Sequence, residues 1–229
     1  MPELLPAMCG RYVFSDPDAV SELARNLLEV TLPGFSPRFN VTPSQLMPVI
    51  AAAEDGAIRA VTMKWGLVPF WEKSEKPRLA PINARSEDAL AKPMFRQSIQ
   101  KRRCLVPADG FYEWQKQKGD RKQPFVIRVK GGRPFFFAGI YEAATETRPE
   151  TFLVFTTKPN ALMAKIHNRM PVILPDELAK SWIAPGPMTA EQLTGFTGSY
   201  PAAKMEARPV SVLVNNPRND SPELLTEVD

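Results

Sequence analysis

The chain has 229 residues, with 29 Lys and Arg against 25 Asp and Glu, one His and two Cys. That length supports a core without disulfides or a structural metal, and so few Cys and His exclude a disulfide framework and a His- or Cys-rich zinc site. No apolar run approaches the ~18 residues of a membrane-spanning helix, and Met1–Met8 lacks the basic start and apolar stretch of a secretory signal, so a reducing, cytoplasmic setting is expected.

The first predicted element is a helix capped by Ser15 or Asp16. Pro17 sits in its first turn, Val20, Leu23, Ala24, Leu27 and Leu28 share one face, and Pro33-Gly34 marks its end. Val49 to Ala53 and Ile58 to Trp65 read as strands around the turn signal Glu54-Asp55-Gly56. Cys104 to Val106 is a short apolar strand. Phe111 to Gln115 and Phe125 to Val129 flank a basic tip, Lys116 to Lys122, and Gly131-Gly132 predicts a second hairpin running into Phe135 to Tyr141. Phe152 to Thr156 reads as a buried strand, Pro159 to Ile166 as a short helix, and Val172 to Leu174 as a further strand. Pro175 to Ile183 and Thr189 to Thr194 read as short helices, and Lys204 to Val212 as a last strand. The 24 prolines are about twice the usual share and favour turns and extended segments over long helices. Together these predict an α+β fold: a single domain over 9–229, with a central, largely antiparallel β-sheet or barrel-like core and short peripheral helices.

Charge is unevenly spread. Between Phe95 and Phe135 stand eleven basic residues and three acids, +8 against −4 in the rest of the chain. Such clustering suits a polyanion such as nucleic acid, or marks solvated hairpin tips.

Four polar stretches lie beside apolar or turn sequence. The first contains Cys9, which taken alone reads as a buried or incidental cysteine. Its neighbour Met8 matters, because a start or a cut at Met8 makes Cys9 the first residue of the chain. A terminal Cys has an amine of reference pKa about 7.7–8.0 and a thiol of about 8.5 on adjacent carbons. With an aldehyde, the amine forms a Schiff base and the thiolate closes a five-membered thiazolidine. His167, the sole imidazole, is either a helix-end cap or surface residue, or a proton-transfer group. Glu113, within Phe111-Tyr112-Glu113-Trp114, is either turned to solvent or held in a pocket with a raised pKa. Asn83 and Arg85 follow Pro81, where Asn offers donors and acceptors and Arg can grip phosphate. In Trp65-Gly66-Leu67-Val68-Pro69-Phe70-Trp71 the rings are either a core plug or a stacking surface for unpaired bases.

In order along the chain come Met8-Cys9-Gly10-Arg11-Tyr12, Arg38-Phe39-Asn40-Val41-Thr42-Pro43, Trp65-Gly66-Leu67-Val68-Pro69 and Pro81-Ile82-Asn83-Ala84-Arg85-Ser86-Glu87. Then follow Arg103-Cys104-Leu105-Val106-Pro107-Ala108-Asp109-Gly110-Phe111-Tyr112-Glu113-Trp114, Ile166-His167-Asn168-Arg169-Met170-Pro171, Pro209-Val210-Ser211 and Val214-Asn215-Asn216. The ordered set resembles the SRAP family, the SOS-response-associated peptidases or abasic-site processing proteins.

The resemblance implies a protein that binds single-stranded DNA, recognises the aldehyde of an abasic site and traps it as a covalent thiazolidine crosslink in the DNA damage response. By position it implies Cys9 as nucleophile, Asn83, Glu113 and His167 as catalytic neighbours, and Arg85 and Arg169 as phosphate contacts; Arg11, Arg38, Asn40 and Trp71, or Phe70 in place of Trp71, are further expected along the DNA. It also implies a proposed peptidase activity that removes residues ahead of the cysteine, and it leaves lyase chemistry open. Neither cofactor nor metal is expected. The partner is single-stranded DNA containing abasic sites, with no membrane, and a monomer that is nucleoid-associated when bound is expected. Two features depart from the family pattern. Residues 1–8 precede the cysteine, and are expected to be non-native or removed. Val212-Leu213 stands where many members carry a basic residue. The alternatives are a cysteine autopeptidase acting on its own leader and a non-covalent single-stranded DNA binder.

Overall fold

Frequent proline and alternating apolar segments keep the helices short. The computed structural model, which describes residues 9–53, 55–74, 77–119 and 121–228, is accordingly built mainly of strands. The predicted leader, residues 1–8, lies outside the described residues. In chain order the elements are β1 (Tyr12–Phe14), α1 (Pro17–Leu28), β2 (Arg38–Val41), β3 (Leu46–Ala52), β4 (Ile58–Trp65), β5 (Asn83–Arg85), α2 (Pro93–Lys101), β6 (Arg103–Ala108), β7 (Gly110–Lys116) and β8 (Lys122–Val129). They continue with β9 (Phe135–Glu142), β10 (Thr151–Thr157), β11 (Met170–Pro171), β12 (Ile173–Leu174), α3 (Asp176–Ile183), α4 (Ala190–Phe196) and β13 (Met205–Pro209). No described helix is long and apolar enough to cross a membrane.

Two sheets result. One runs β13-β8-β7-β1-β2. The other runs β11-β10-β4-β3-β6-β9-β12, and it closes on itself because β10 also pairs with β9. The closed part is a small barrel, antiparallel except where β10 runs parallel to β4 and to β5. The α+β expectation with a barrel-like core holds. Between the sheets lies an aromatic core. Trp65 stacks on Phe152 at 6.3 Å, and Tyr12 meets Trp65 edge-on at 5.2 Å. Alternation along β1 divides its side chains between two cores. Tyr12 and Phe14 join the main one, and Val13 turns to the other face, where Tyr112, Val126, Val210, Val214 and Leu224 cover it.

The chain changes sheets at Asp109, between β6 and β7. Its buried carboxylate accepts from the Ser15 hydroxyl at 2.9 Å and from the Asp16 amide at 2.9 Å, and it pairs with Arg128 at 3.3 Å. This ties the start of α1 to the crossing point. Helix α1 forms as predicted, capped by the Asp16 carboxylate on the Ala19 amide at 2.9 Å. Its end differs. It stops at Leu28, where Glu29 takes a left-handed φ of 59°, five residues short of Pro33-Gly34.

Two other expectations are corrected. Gly131-Gly132 does not make a hairpin. Strand β8 pairs with β7 and β13, whereas β9 pairs with β6, β10 and β12. Both glycines adopt positive φ and swing the chain from one sheet to the other. The predicted helix Pro159–Ile166 shrinks to a single tight turn, Met163–Lys165, because Asn160 bonds the Leu162 and Met163 amides through its side chain and sets an Asx-type turn.

Candidate active site around Cys9

Register delivers the cysteine to the acid. In the β1–β7 pair Tyr12 faces Phe111 and Val13 faces Gly110. The Tyr112 amide donates to the Arg11 carbonyl at 3.0 Å and carries the ladder back toward the start of the chain. The Cys9 nitrogen then donates to Glu113 Oε1 at 2.8 Å. Cys9 has a φ of 49°, a turn that a non-glycine residue adopts only where its surroundings hold it. Both side chains are buried, Cys9 at 6% and Glu113 at 2% exposure. Of the two readings for Glu113, the structure takes the pocket.

Burial pushes the Glu113 carboxyl above its ordinary pKa, with His167 and the bonds from Cys9 pulling the other way. Burial likewise pushes the Cys9 thiol well up. The carboxylate of Glu113, in hydrogen-bond contact with the thiol, raises it further, and Arg169 opposes this. The resting thiol is therefore protonated at neutral pH, beside an acid that titrates closer to neutrality than an exposed glutamate.

The barrel sheet supplies the other residues. Parallel pairing places Asn83 of β5 beside Val154 of β10, and the Asn83 amide donates to the Cys9 carbonyl at 3.4 Å. His167 follows the Met163–Lys165 turn, and its Nδ1 accepts from the Arg169 amide at 3.2 Å. A neutral ring then carries its proton on Nε2. Arg169 is buried and forks onto Glu87 at 2.6 and 2.8 Å, with a further bond to the Thr156 carbonyl at 2.6 Å. Its charge already has a partner, which holds Glu87 below the usual carboxylate range. Beneath Cys9 lies a cavity of about 10 Å³ bounded by Tyr12, Trp65, Phe111, Phe137, Val154 and Pro171. That is room for about one water.

Around this centre the residues expected along DNA divide. Arg85 is exposed and has no ion pair among the described residues. Trp71 and Phe70 are exposed at 47% and 58%, edge-on to each other at 5.0 Å, whereas Trp65, Leu67 and Val68 of the same stretch are buried. That segment is thus both a core plug and a presented aromatic pair. Arg11 is half-buried, 6.0 Å from the Trp114 ring, and donates to Asn40 Oδ1 at 3.0 Å and the Val214 carbonyl at 2.8 Å. Asn40 is fully buried, with its amide on the carbonyls of Val214, Asn216 and Asn219. Arg38 pairs with Asp220 at 2.6 Å. Here Asn40 and Arg38 brace the C-terminal segment against β2. Glu87 and Asn215 lie in the quoted motifs but were given no role from the sequence. The side chain of Asn215 accepts from the Trp114 indole at 2.7 Å.

A larger cavity, about 560 Å³, opens elsewhere between α2, β9 and the Ile183–Pro187 turn. Its arginines are occupied: Arg59 by Glu150, Arg102 by Glu142, and Arg103 by carbonyls of Ile99, Gln100, Trp182, Ala184 and Gly186. Among the described residues no three His, Cys, Asp or Glu side chains converge as a metal site would require.

Fold and site together define a small α+β protein with a buried thiol set against a buried acid where two sheets meet. Its sequence matches the SOS response associated peptidase (SRAP) family over residues 8–217, and the chain belongs to that family. It is 42% identical over 225 residues to the abasic site processing protein YoqW of Bacillus subtilis, covering 95% of this chain and 99% of that one. The abasic site processing protein YedK of Escherichia coli is 33% identical over 236 residues, covering 96% and 100%. A crystal structure of a Bacteroides thetaiotaomicron protein superposes with a TM-score of 0.77 at 27% identity, over 97% of this chain and 98% of that one.

Proposed function

We propose that this protein processes abasic sites in single-stranded DNA, trapping the ring-opened aldehyde as a thiazolidine on Cys9. The relatives named as abasic site processing proteins support the substrate. The observation that carries the chemistry is the Cys9 nitrogen at 2.8 Å from Glu113 Oε1, within reach for direct proton transfer.

The reaction requires a free α-amine on Cys9. That nitrogen attacks the C1′ aldehyde carbon, and the carbinolamine loses water to give an imine. The sulfur then adds to the imine carbon, and the thiol proton ends on the nitrogen. One C–N bond and one C–S bond form, one water leaves, and no oxidant or reductant is needed. Glu113 takes and returns the protons at the Cys9 nitrogen and sulfur. His167 Nε2–H serves the sugar oxygen, and Asn83 fixes the Cys9 carbonyl and so the direction of the amine. Arg85 and the Phe70-Trp71 pair face the strand.

The test is a denaturing gel with a single-stranded oligonucleotide carrying one abasic site. The native protein is expected to shift into a covalent band whose mass is the sum of the two components less one water. Cys9→Ala is expected to give no such band. Equal yield from both proteins would overturn the reading.

A further inference from the structure

Of the eleven basic residues in the window seen in the sequence, Arg96, Arg102, Arg103, Arg128 and Arg133 are engaged by carbonyls or carboxylates. Lys101, at the end of α2, and Lys130, just after β8, are exposed without an ion pair among the described residues. Lys116, Lys118, Arg121 and Lys122 are likewise unengaged. They crowd the β7–β8 tip, all exposed, and among the described residues none forms an ion pair. Lys116 and Lys122 stand directly opposite in the ladder. Like charges in that position destabilise a strand pair, and an anion laid across them removes the repulsion. Only one acid, Asp120, lies within the tip's sequence.

The tip is also continuous with the site. It extends β7, the strand that carries Glu113. Gln115, between the two, donates to the Lys165 carbonyl at 2.7 Å and ties the hairpin to the loop that carries His167. The Gln117 amide closes the hairpin on the Arg121 carbonyl at 2.9 Å. At ~3.3 Å per residue, Lys116 lies ~10 Å along β7 from Glu113, with Lys118 in the turn beyond it. With one charge per ~3.4 Å of stacked strand, the tip begins at roughly the third phosphate from the lesion.

We propose that the β7–β8 tip is a phosphate-binding arm for the single strand several nucleotides away from the abasic site. This rests on the reading that the lesion sits at Cys9 and Glu113. The arm adds affinity on longer strands and takes no part in the chemistry.

The test compares the native protein with a variant carrying Lys116→Gln, Lys118→Gln, Arg121→Gln and Lys122→Gln, whose thermal midpoint is expected to hold. Half-saturating concentrations for crosslinking are measured on two abasic oligonucleotides, one with a single nucleotide on each side of the lesion and one with ten. On the long strand the variant is expected to need about tenfold more protein at low salt, with the rate at saturation unchanged. The slope of log affinity against log salt is expected to shrink by about 0.7 for each phosphate that the variant no longer neutralises. On the short strand the two proteins are expected to match. Half-saturation within about twofold on the long strand would overturn the proposal, and so would an equal loss on both strands. Should the native protein crosslink neither strand, the thiazolidine reading fails on its own. Fluorescence anisotropy on an intact long strand, with Cys9→Ala in both proteins, then decides the arm: weaker binding by the glutamine variant upholds it, and equal binding overturns it.

Discussion

Replacing Glu113 with Gln tests the thiol-and-acid centre most directly. The substitution keeps the size of a side chain that is 2% exposed, and it leaves an amide oxygen to accept from the Cys9 nitrogen, now 2.8 Å from the carboxylate. It removes a buried carboxylate in contact with both nitrogen and thiol. Loss of a general base costs about 10²–10⁴ in rate, or about 3–5 kcal/mol of barrier. The assay is rapid-quench crosslinking at saturating protein across the pH range. The native rate is expected to climb as pH passes through the raised Glu113 pKa, and the variant to lack that limb. The thiol moves the other way. Glu113 adds to the upward shift of the Cys9 thiol, so alkylation of Cys9 by iodoacetamide is expected to quicken in Glu113→Gln while crosslinking slows. Stability follows from the same shift. Because folding raises the Glu113 pKa, the native protein loses stability as pH rises from the unfolded value through the folded one. Above that window the Gln variant is expected to be the more stable of the two. An unchanged crosslinking rate with an unchanged pH profile would refute the role given to Glu113.

Two further substitutions test the frame that holds the site. Asp109→Ala leaves Arg128 and the amides of Ser15 and Asp16 without their buried carboxylate. Breaking a fully buried pair costs about 3–5 kcal/mol; with the Arg128 side chain 26% exposed the cost is expected at the low end, so the thermal midpoint is expected to fall by about 10 °C, and a fall under about 2 °C would count against the sheet-crossing role of Asp109. Gly139→Ala places a Cβ 2.6 Å from the Leu153 carbonyl and 3.0 Å from Cys104 Sγ, where β9 closes the barrel on β10. Overpacking of about 1–3 kcal/mol is expected, read as a lower denaturant midpoint, and an unmoved midpoint would show that the barrel seam yields.

What the sequence made legible was local. Helix α1 announced itself through its cap and its apolar face, and the β3–β4 and β7–β8 hairpins through alternation around turn residues. Helix α2 was missed because its face is short: only Phe95, Ser98 and Ile99 are buried, behind a capping position filled by Lys92. The chain passing from β8 to β9 was misread because Gly131-Gly132 suits a tight hairpin as well as a sheet change, and only the partners of β9 decide between them. The candidate site residues were nameable from motif order, but their burial was not. Arg169 reads as a phosphate ligand until Glu87, 82 positions away, is found clasping it. Asn40 reads likewise until its amide is found on the carbonyls of a segment more than 170 positions downstream.

The placement of these groups bears on the order of the proposed steps. A thiol raised by burial and by a neighbouring carboxylate is a poor resting nucleophile. A terminal amine of reference pKa about 7.7–8.0 has an unprotonated fraction at neutral pH. Under the proposed chemistry nitrogen therefore attacks first, and the sulfur acts only after an imine exists on the same residue. At that point the second bond is intramolecular, where effective molarities are high, and Glu113 is in contact with the thiol whose proton must leave. A protonated, buried cysteine is also shielded from oxidation, which follows thiolate character and exposure. Under the proposed chemistry, the feature that slows the free thiol is thus the one that reserves it for an aldehyde already held by the adjacent amine.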